Sequence, residues 1–186
     1  MFDDPPRLKR GALRPLNDRQ WRGDVAAVLD RFQRAFPEIE YDVAWNVRAL
    51  NGVAWREPGQ RHVRLYGGLV RHRLIGLEAC ALLLAHETGH HYGGPPRDSV
   101  YEWMSCECQA DFWAARHGVR MAWVGNDAEA RHQVTLGARQ ILAFERSMID
   151  SGADWVRPNT SDADCLDHAS PDDRYRIFMS GAGDGA

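Results

Sequence analysis

The chain has no apolar run long enough to span a bilayer. A transmembrane helix needs about 20 consecutive apolar residues, whereas the best candidate, residues 74–85, is shorter and contains Glu78. The N-terminal segment MFDDPPRLKR carries acidic residues and prolines where a signal peptide has a basic start and an apolar stretch. We therefore expect a soluble, cytoplasmic protein that has no membrane partner.

The chain also lacks a strong excess of either charge. Lys and Arg total 23 against 26 Asp and Glu, which gives a formal net charge of -3. This balance argues against a general nucleic-acid binder. No run of basic residues is interleaved with aromatics to form a stacking platform for bases. We expect no nucleic-acid partner.

Cysteine is scarce as well. The four cysteines are Cys80, Cys106, Cys108 and Cys165, which fits reduced thiols better than a disulfide framework. Cys106 and Cys108 are close enough to suggest thiolate ligation of a metal, but no second pair accompanies them. We regard them as the weaker candidates for a metal site.

Repeats and shifts of composition are absent too, so residues 1–186 are expected to form one domain. Hydrophobic residues make up 44% of the chain, enough for a core that needs no disulfides. We expect segments 1–16 and 181–186 to be flexible, because the first is rich in proline and charge and the last in glycine.

Apolar spacing predicts an α+β fold. A helix is expected over 18–36, a strand over 39–47, and two short strands at 53–55 and 62–66 around a turn at 57–59. Helices are then predicted over 74–92, from a capping box at 99–102 to about 117, over 127–150, and from the Ser170-Pro171 cap onward. Gly93 is expected in the left-handed position after the first of these. The result is a small, mostly antiparallel sheet and a helix-rich C-terminal half.

The pattern that carries chemistry is HETGH at residues 86–90. Residues four apart lie above one another on a helix, so His86 and His90 can present two imidazoles to one ion. Glu87 lies beside the first of these ligands, where it can reach a metal-bound water. The spacing predicts a metal centre with a base next to it.

The next helix supplies candidates for the remaining ligand. Glu107 and Asp111 lie four apart on a face that is otherwise apolar, and unpaired buried carboxylates are costly. Zinc could satisfy Glu107, and a ring N–H of a ligating histidine could satisfy Asp111. The alternative is that one of the two faces solvent or meets an arginine. Glu102 is a rival third ligand, although its capping position places it at the helix start.

The combination of HETGH with ECQAD resembles the gluzincins, metallopeptidases in which a glutamate on a second helix is the third zinc ligand. It is most similar to the HtpX-like and CAAX-prenyl-protease-like group, which adds a histidine followed by an arginine six residues later. His168 and Arg174 keep that spacing within HASPDDR. The resemblance extends over about 46–178. It departs from the group in lacking membrane helices, in a short gap before the glutamate, and in having Ala169 where proline is usual.

The resemblance implies a zincin-like fold, in which the sheet packs on an active-site helix and a glutamate-bearing helix. It implies one Zn2+ per chain, held by His86, His90 and Glu107, and hydrolysis of a peptide or protein substrate with Glu87 activating the water. His168, Arg174 or a tyrosine would stabilise the oxyanion. The strand near 43–53 would hold an extended substrate at the sheet edge.

Two other functions remain open at this point. The short gap and the lack of membrane helices also suit the ImmA/IrrE type of regulatory protease, which cleaves a repressor. A non-catalytic zinc-binding interaction module is the other alternative, and Glu87 argues against it because a structural site needs no base there.

Overall fold

A computed structural model of the chain describes residue 8, residues 11–152 and residues 170–183. In chain order the elements are α1 (Arg19–Ala35), β1 (Ile39–Ala44), β2 (Gly52–Glu57), β3 (Gln60–Tyr66), α2 (Gly67–Val70), α3 (Leu77–Tyr92), α4 (Glu107–Trp113), a π-helical turn (Ala114–Gly118), α5 (Val119–Ala122), α6 (Asp127–Asp150) and α7 (Pro171–Ala182). The architecture is α+β with a helix-rich second half, as the apolar spacing predicts.

The sheet is mixed, and the expectation of a mostly antiparallel sheet is wrong. Its strand order is β1-β3-β2, with β1 parallel and β2 antiparallel to β3. The connection from β1 crosses the end of β3 before it enters β2, so β3 inserts between the two. Gly67 and Gly68 permit this crossing, because a Cβ on either would lie 2.0 Å from a carbonyl oxygen of the connection.

Helix α3 forms the centre of the molecule. It is buried continuously from Ala79 to His91, as expected for a helix that is apolar on all sides. The sheet, α1, α4 and α6 pack around it. A Cβ at Gly89 would lie 2.7 Å from the Ala110 carbonyl oxygen, so this glycine lets α4 approach α3 closely.

Most of the predicted helices are confirmed at their ends. Asp18 caps α1 by accepting a hydrogen bond from the Trp21 N–H. Ser170 caps α7 through the Asp173 N–H, and Pro171 follows as the first helical residue. One glycine is placed wrongly, however: Gly93 has φ -61°, and Gly94 takes the positive value of 82°.

The predicted capping box at 99–102 is also wrong. The second helix begins at Glu107, with Cys106 as its N-cap residue. Asp98 captures the backbone N–H groups of Val100 and Tyr101 at 2.8 and 2.7 Å, which forms a turn in place of a helix start. Val100, which lies in this turn, is 74% exposed.

Three further observations concern the chain as a whole. None of the helices in the described ranges combines the length and apolar character that a membrane span requires. Cys80 is a buried thiol, as expected, whereas Cys106 is disulfide-bonded, so the expectation of reduced thiols is wrong at that position. Gly181 and Ala182, at the start of the predicted flexible tail, are buried residues of α7.

Candidate metal centre

Three side chains converge between α3 and α4. The Nε2 atoms of His86 and His90 lie 3.2 and 3.6 Å from the two carboxylate oxygens of Glu107. The candidate ligand atoms all lie within 4.8 Å of one another. These residues can hold a metal ion, and they form the one such cluster among the residues described. Glu102, the rival ligand, is exposed and lies outside it.

A two-sided link between His90 and Ser105 positions the third residue of the cluster. The His90 carbonyl accepts from the Ser105 N–H at 2.9 Å, and the His90 ring Nδ1 lies 2.8 Å from the Ser105 carbonyl oxygen. Because a carbonyl only accepts, this Nδ1 carries a proton, and Nε2 is the ring nitrogen that faces Glu107. The same link fixes the position at which α4 starts, because Glu107, the first residue of that helix, lies two residues after Ser105.

His86 is supported from behind by Asp111. Its Nδ1 lies 2.6 Å from Asp111 Oδ1, and both side chains are almost fully buried. Burial alone lowers the pKa of His86, but the carboxylates of Asp111 and Glu107 raise it to about 10. The metal-free protein therefore holds His86 as an imidazolium at neutral pH, and a metal bound at its Nε2 replaces a proton.

Arg174 binds the far side of Asp111. Its Nε and Nη2 donate to the two Asp111 oxygens at 2.9 and 3.0 Å, and its Nη1 donates to Glu145 Oε1 at 2.7 Å. Burial raises the pKa of Asp111, but Arg174 and His86 outweigh it and lower the pKa overall. Two other acidic residues on α7 pair with different arginines, Asp172 with Arg146 and Asp173 with Arg176.

Glu87 faces a cavity of about 280 Å³ that also contains the metal-ligand candidates and Arg174 in its lining. Its carboxyl is buried, and burial raises its pKa although His86 and His90 oppose the shift. A Cβ at Gly52 would lie 2.6 Å from Glu87 Oε1, so only glycine at the start of β2 leaves room for this carboxyl.

The expected oxyanion donors also included a tyrosine and His168. Tyr92 donates its hydroxyl to Glu38, and Tyr101 is 55% exposed. His168, proposed beside Arg174, lies outside the described residues.

Sequence reasoning missed Glu145. This residue lies on α6 and is 1% exposed. The signal was available, because Ile141, Glu145 and Met148 recur at helical spacing on the buried stripe of α6. Glu145, like Glu107 and Asp111, is a carboxylate on a helix face that is otherwise apolar.

Comparison of the chain with protein-family models, curated proteins and solved structures finds no match. The resemblance to gluzincins therefore remains a prediction that rests on the residues themselves.

Proposed function

We propose that the protein is a zinc-dependent peptidase of the gluzincin type, with His86, His90 and Glu107 as zinc ligands and Glu87 as the base. The observation that carries the proposal is the convergence of the three ligand atoms within 4.8 Å of one another, with Glu87 in the same cavity. A structural zinc site takes four protein ligands, whereas a catalytic site takes three and leaves one position open.

The chemistry of the donors favours zinc. Two imidazoles and one carboxylate are a common zinc set, while Mg2+ and Ca2+ prefer oxygen ligands throughout. Asp111 behind His86 and the Ser105 carbonyl behind His90 orient both rings, as the outer partners of zinc-bound histidines do. We expect one zinc per chain.

Zinc held by His86, His90 and Glu107 would supply a Lewis acid for the scissile carbonyl and would lower the pKa of a bound water. Glu87, which lines the same cavity, would accept a proton from the attacking water and return it to the leaving amine. By the resemblance, His168 would stabilise the oxyanion. Arg174, whose Nε, Nη1 and Nη2 donate to Asp111 and Glu145, would hold Asp111 in place behind His86.

The geometry of β2 supports a binding place for an extended peptide substrate. This strand pairs only with β3 in the described sheet, and residues 51–54 line the cavity beside Glu87. An extended peptide can add to this free edge and lay its backbone across the ligand cluster. The substrate is therefore a flexible peptide or an extended loop of a protein.

The test is metal content by elemental analysis, run beside hydrolysis of a denatured protein followed by mass spectrometry. We expect about one zinc per wild-type chain, loss of zinc in Glu107→Ala, and retention of zinc without hydrolysis in Glu87→Gln. Glu102→Ala, which removes the exposed rival carboxylate, is the matched control and should keep both zinc and activity.

Three outcomes would redirect the proposal. Full zinc content in Glu107→Ala would overturn the third ligand. Zinc in the wild type without hydrolysis of any peptide would favour the non-catalytic binding module. Hydrolysis confined to one folded partner protein would favour the regulatory type of protease, since the chemistry is the same and only the substrate differs.

A further inference from the structure

The cavity beside the ligand cluster has an apolar wall that the proposed chemistry does not use. This wall includes Leu50, Leu69, Ile75, Leu83, Ile141 and Phe144. Leu83 lies one turn before His86 and Glu87 on α3, so the wall is continuous with the reacting groups. At about 280 Å³ the cavity is at the lower end of small-molecule pockets, which run from roughly 300 to 1,000 Å³. It has room for one side chain and not for a folded segment.

The wall is rigid. The Phe144 ring meets the buried His72 ring edge to face, with 4.9 Å between centroids. Ile141 and Phe144 are 2% and 3% exposed, and Ile75 and Leu69 are equally buried. A pocket whose wall is fixed in this way discriminates by shape and polarity, because it cannot collapse around a poorly fitting group.

A carboxylate interrupts this wall. Glu145 lines the cavity, and its Oε1 accepts from Arg174 at 2.7 Å. Its Oε2 is buried and makes no hydrogen bond within the described part of the chain. A purely structural ion pair is expected to satisfy both oxygens, because an unsatisfied buried carboxylate oxygen is costly. The atom is placed to accept a hydrogen bond that a ligand supplies.

We propose that the cavity receives one substrate side chain with an apolar stem and a hydrogen-bond donor at its end, and that Glu145 Oε2 accepts from that donor. The inference rests on the proposed peptidase function and adds a substrate class to it. The donor is a hydroxyl, as in tyrosine, or an ammonium, as in lysine.

Arg174 gives Glu145 a fixed geometry for this task. It holds Oε1 in place and is itself held by both oxygens of Asp111. The Asp111 and Glu145 carboxylates share one guanidinium, which leaves the lone pairs of Glu145 Oε2 without a donor among the residues described. A donor from the substrate can therefore bind there, whereas a further carboxylate cannot. Glu145 selects the substrate, while Asp111 orients the ligand His86.

The first experiment uses the zinc-loaded enzyme and a peptide that it cleaves. Each residue flanking the scissile bond is replaced in turn by Tyr, Phe, Lys and norleucine, and kcat/KM is measured. At one position we expect Tyr over Phe, or Lys over norleucine, by about tenfold or more, which is the effect of one hydrogen bond to a charged group. Which of the two pairs shows the preference identifies the donor.

Glu145→Gln is the decisive variant. It keeps an acceptor for Arg174 and replaces Oε2 by an amide N–H2, which cannot accept. We expect the preference to fall toward unity while cleavage of the Phe or norleucine peptide persists. Glu129→Gln makes the same change on the same helix outside the cavity and should keep the preference. A merely structural role for Glu145 would lower cleavage of all four peptides alike, and that result would overturn the inference.

A second measurement is independent of catalysis. Binding of p-cresol and of toluene to the wild type and to Glu145→Gln is measured by calorimetry, together with binding of butylamine and of pentane, which has the same shape and no donor. Tighter binding of a donor-bearing probe by the wild type alone supports the pocket even if no peptide is cleaved, in which case the peptidase proposal fails separately. Equal cleavage of all four peptides, or equal affinity for probes with and without a donor, would overturn the proposed side-chain pocket. The peptidase proposal would still stand.

Discussion

Two ion pairs join α6 to α7. Each consists of an arginine and a carboxylate, but the two pairs differ in burial and in their further partners. Arg174 and Glu145 meet at 2.7 Å with side chains 16% and 2% exposed. Arg146, the next residue on α6, meets Asp172 at 2.5 Å with side chains 56% and 53% exposed. A shift of one residue on α6 and of two on α7 thus separates a buried pair from a solvated one.

The difference lies in what surrounds each pair. The buried guanidinium also binds both oxygens of Asp111, which in turn lies 2.6 Å from His86. The exposed pair is surrounded by water. Water screens the attraction between the two charges, and it also solvates each charge when the pair separates. Distance alone therefore says little about how much an ion pair contributes to stability. Burial and further partners decide it.

The largest effect is expected from breaking the buried pair. Arg174→Met keeps an apolar stem but leaves the Asp111 and Glu145 carboxylates without their shared cation. We expect a loss of about 3–5 kcal/mol in the free energy of unfolding, because removal of one partner strands buried charge. Urea unfolding in the presence of a chelator measures it. Arg176→Met, on the same helix at an exposed pair, is the control, and a loss below about 1 kcal/mol for Arg174→Met would contradict this account.

A smaller change neutralises Asp111 without changing its size. In Asp111→Asn the partner of the His86 Nδ1 loses its charge, so the ring is less basic and less well oriented as a ligand. We expect zinc affinity to fall by about 10–100-fold, the usual effect of changing such a partner. Competition with a chromophoric chelator measures it. Asp127→Asn, at the exposed start of α6, serves as the control, and unchanged affinity in Asp111→Asn would sink the supporting role.

The exposed pair provides the opposite case. Arg146→Ala is expected to cost at most about 1 kcal/mol of unfolding free energy, since solvated ion pairs contribute about 0–1 kcal/mol. Added sodium chloride should reduce even this difference, because salt screens exposed charges more than buried ones. Urea unfolding at low and high salt checks both statements. A cost comparable to that of Arg174→Met would erase the contrast between the two pairs.

The smallest effect concerns a buried titratable group without a carboxylate partner. Burial first, and Arg14 second, lower the pKa of His72 below its ordinary value. The unfolded chain therefore binds a proton more readily than the folded one below about pH 6.5, so the stability linked to His72 is present at neutral pH and lost as the pH falls.

This linkage is measured as the urea midpoint of the metal-free protein between pH 7 and pH 5. The midpoint should fall more steeply in the wild type than in His72→Gln, while the contribution of His86 is common to both. Parallel profiles for the two proteins would contradict the assignment.

Much of the helical structure can be predicted from the sequence. Helix α6 has the predicted bounds, 127–150, because Asn126 caps its start and its apolar stripe is regular. The motif helix is central because its residues are apolar on every side. The candidate site was readable where residues lie close in sequence, as His86, Glu87 and His90 do, since helical spacing alone places them together.

Local spacing in the chain thus predicts the main helices, three short strands, and two histidines and a glutamate on one buried helix. The contacts of Glu107 with both histidines, and the link that Arg174 forms between Asp111 and Glu145, depend on how the helices pack. Helix α4 starts late because Asp98 captures two backbone N–H groups, and the sheet is mixed because the chain crosses the end of β3. Each of these depends on contacts between residues far apart in the chain, whereas periodicity reports only on neighbours within a few turns.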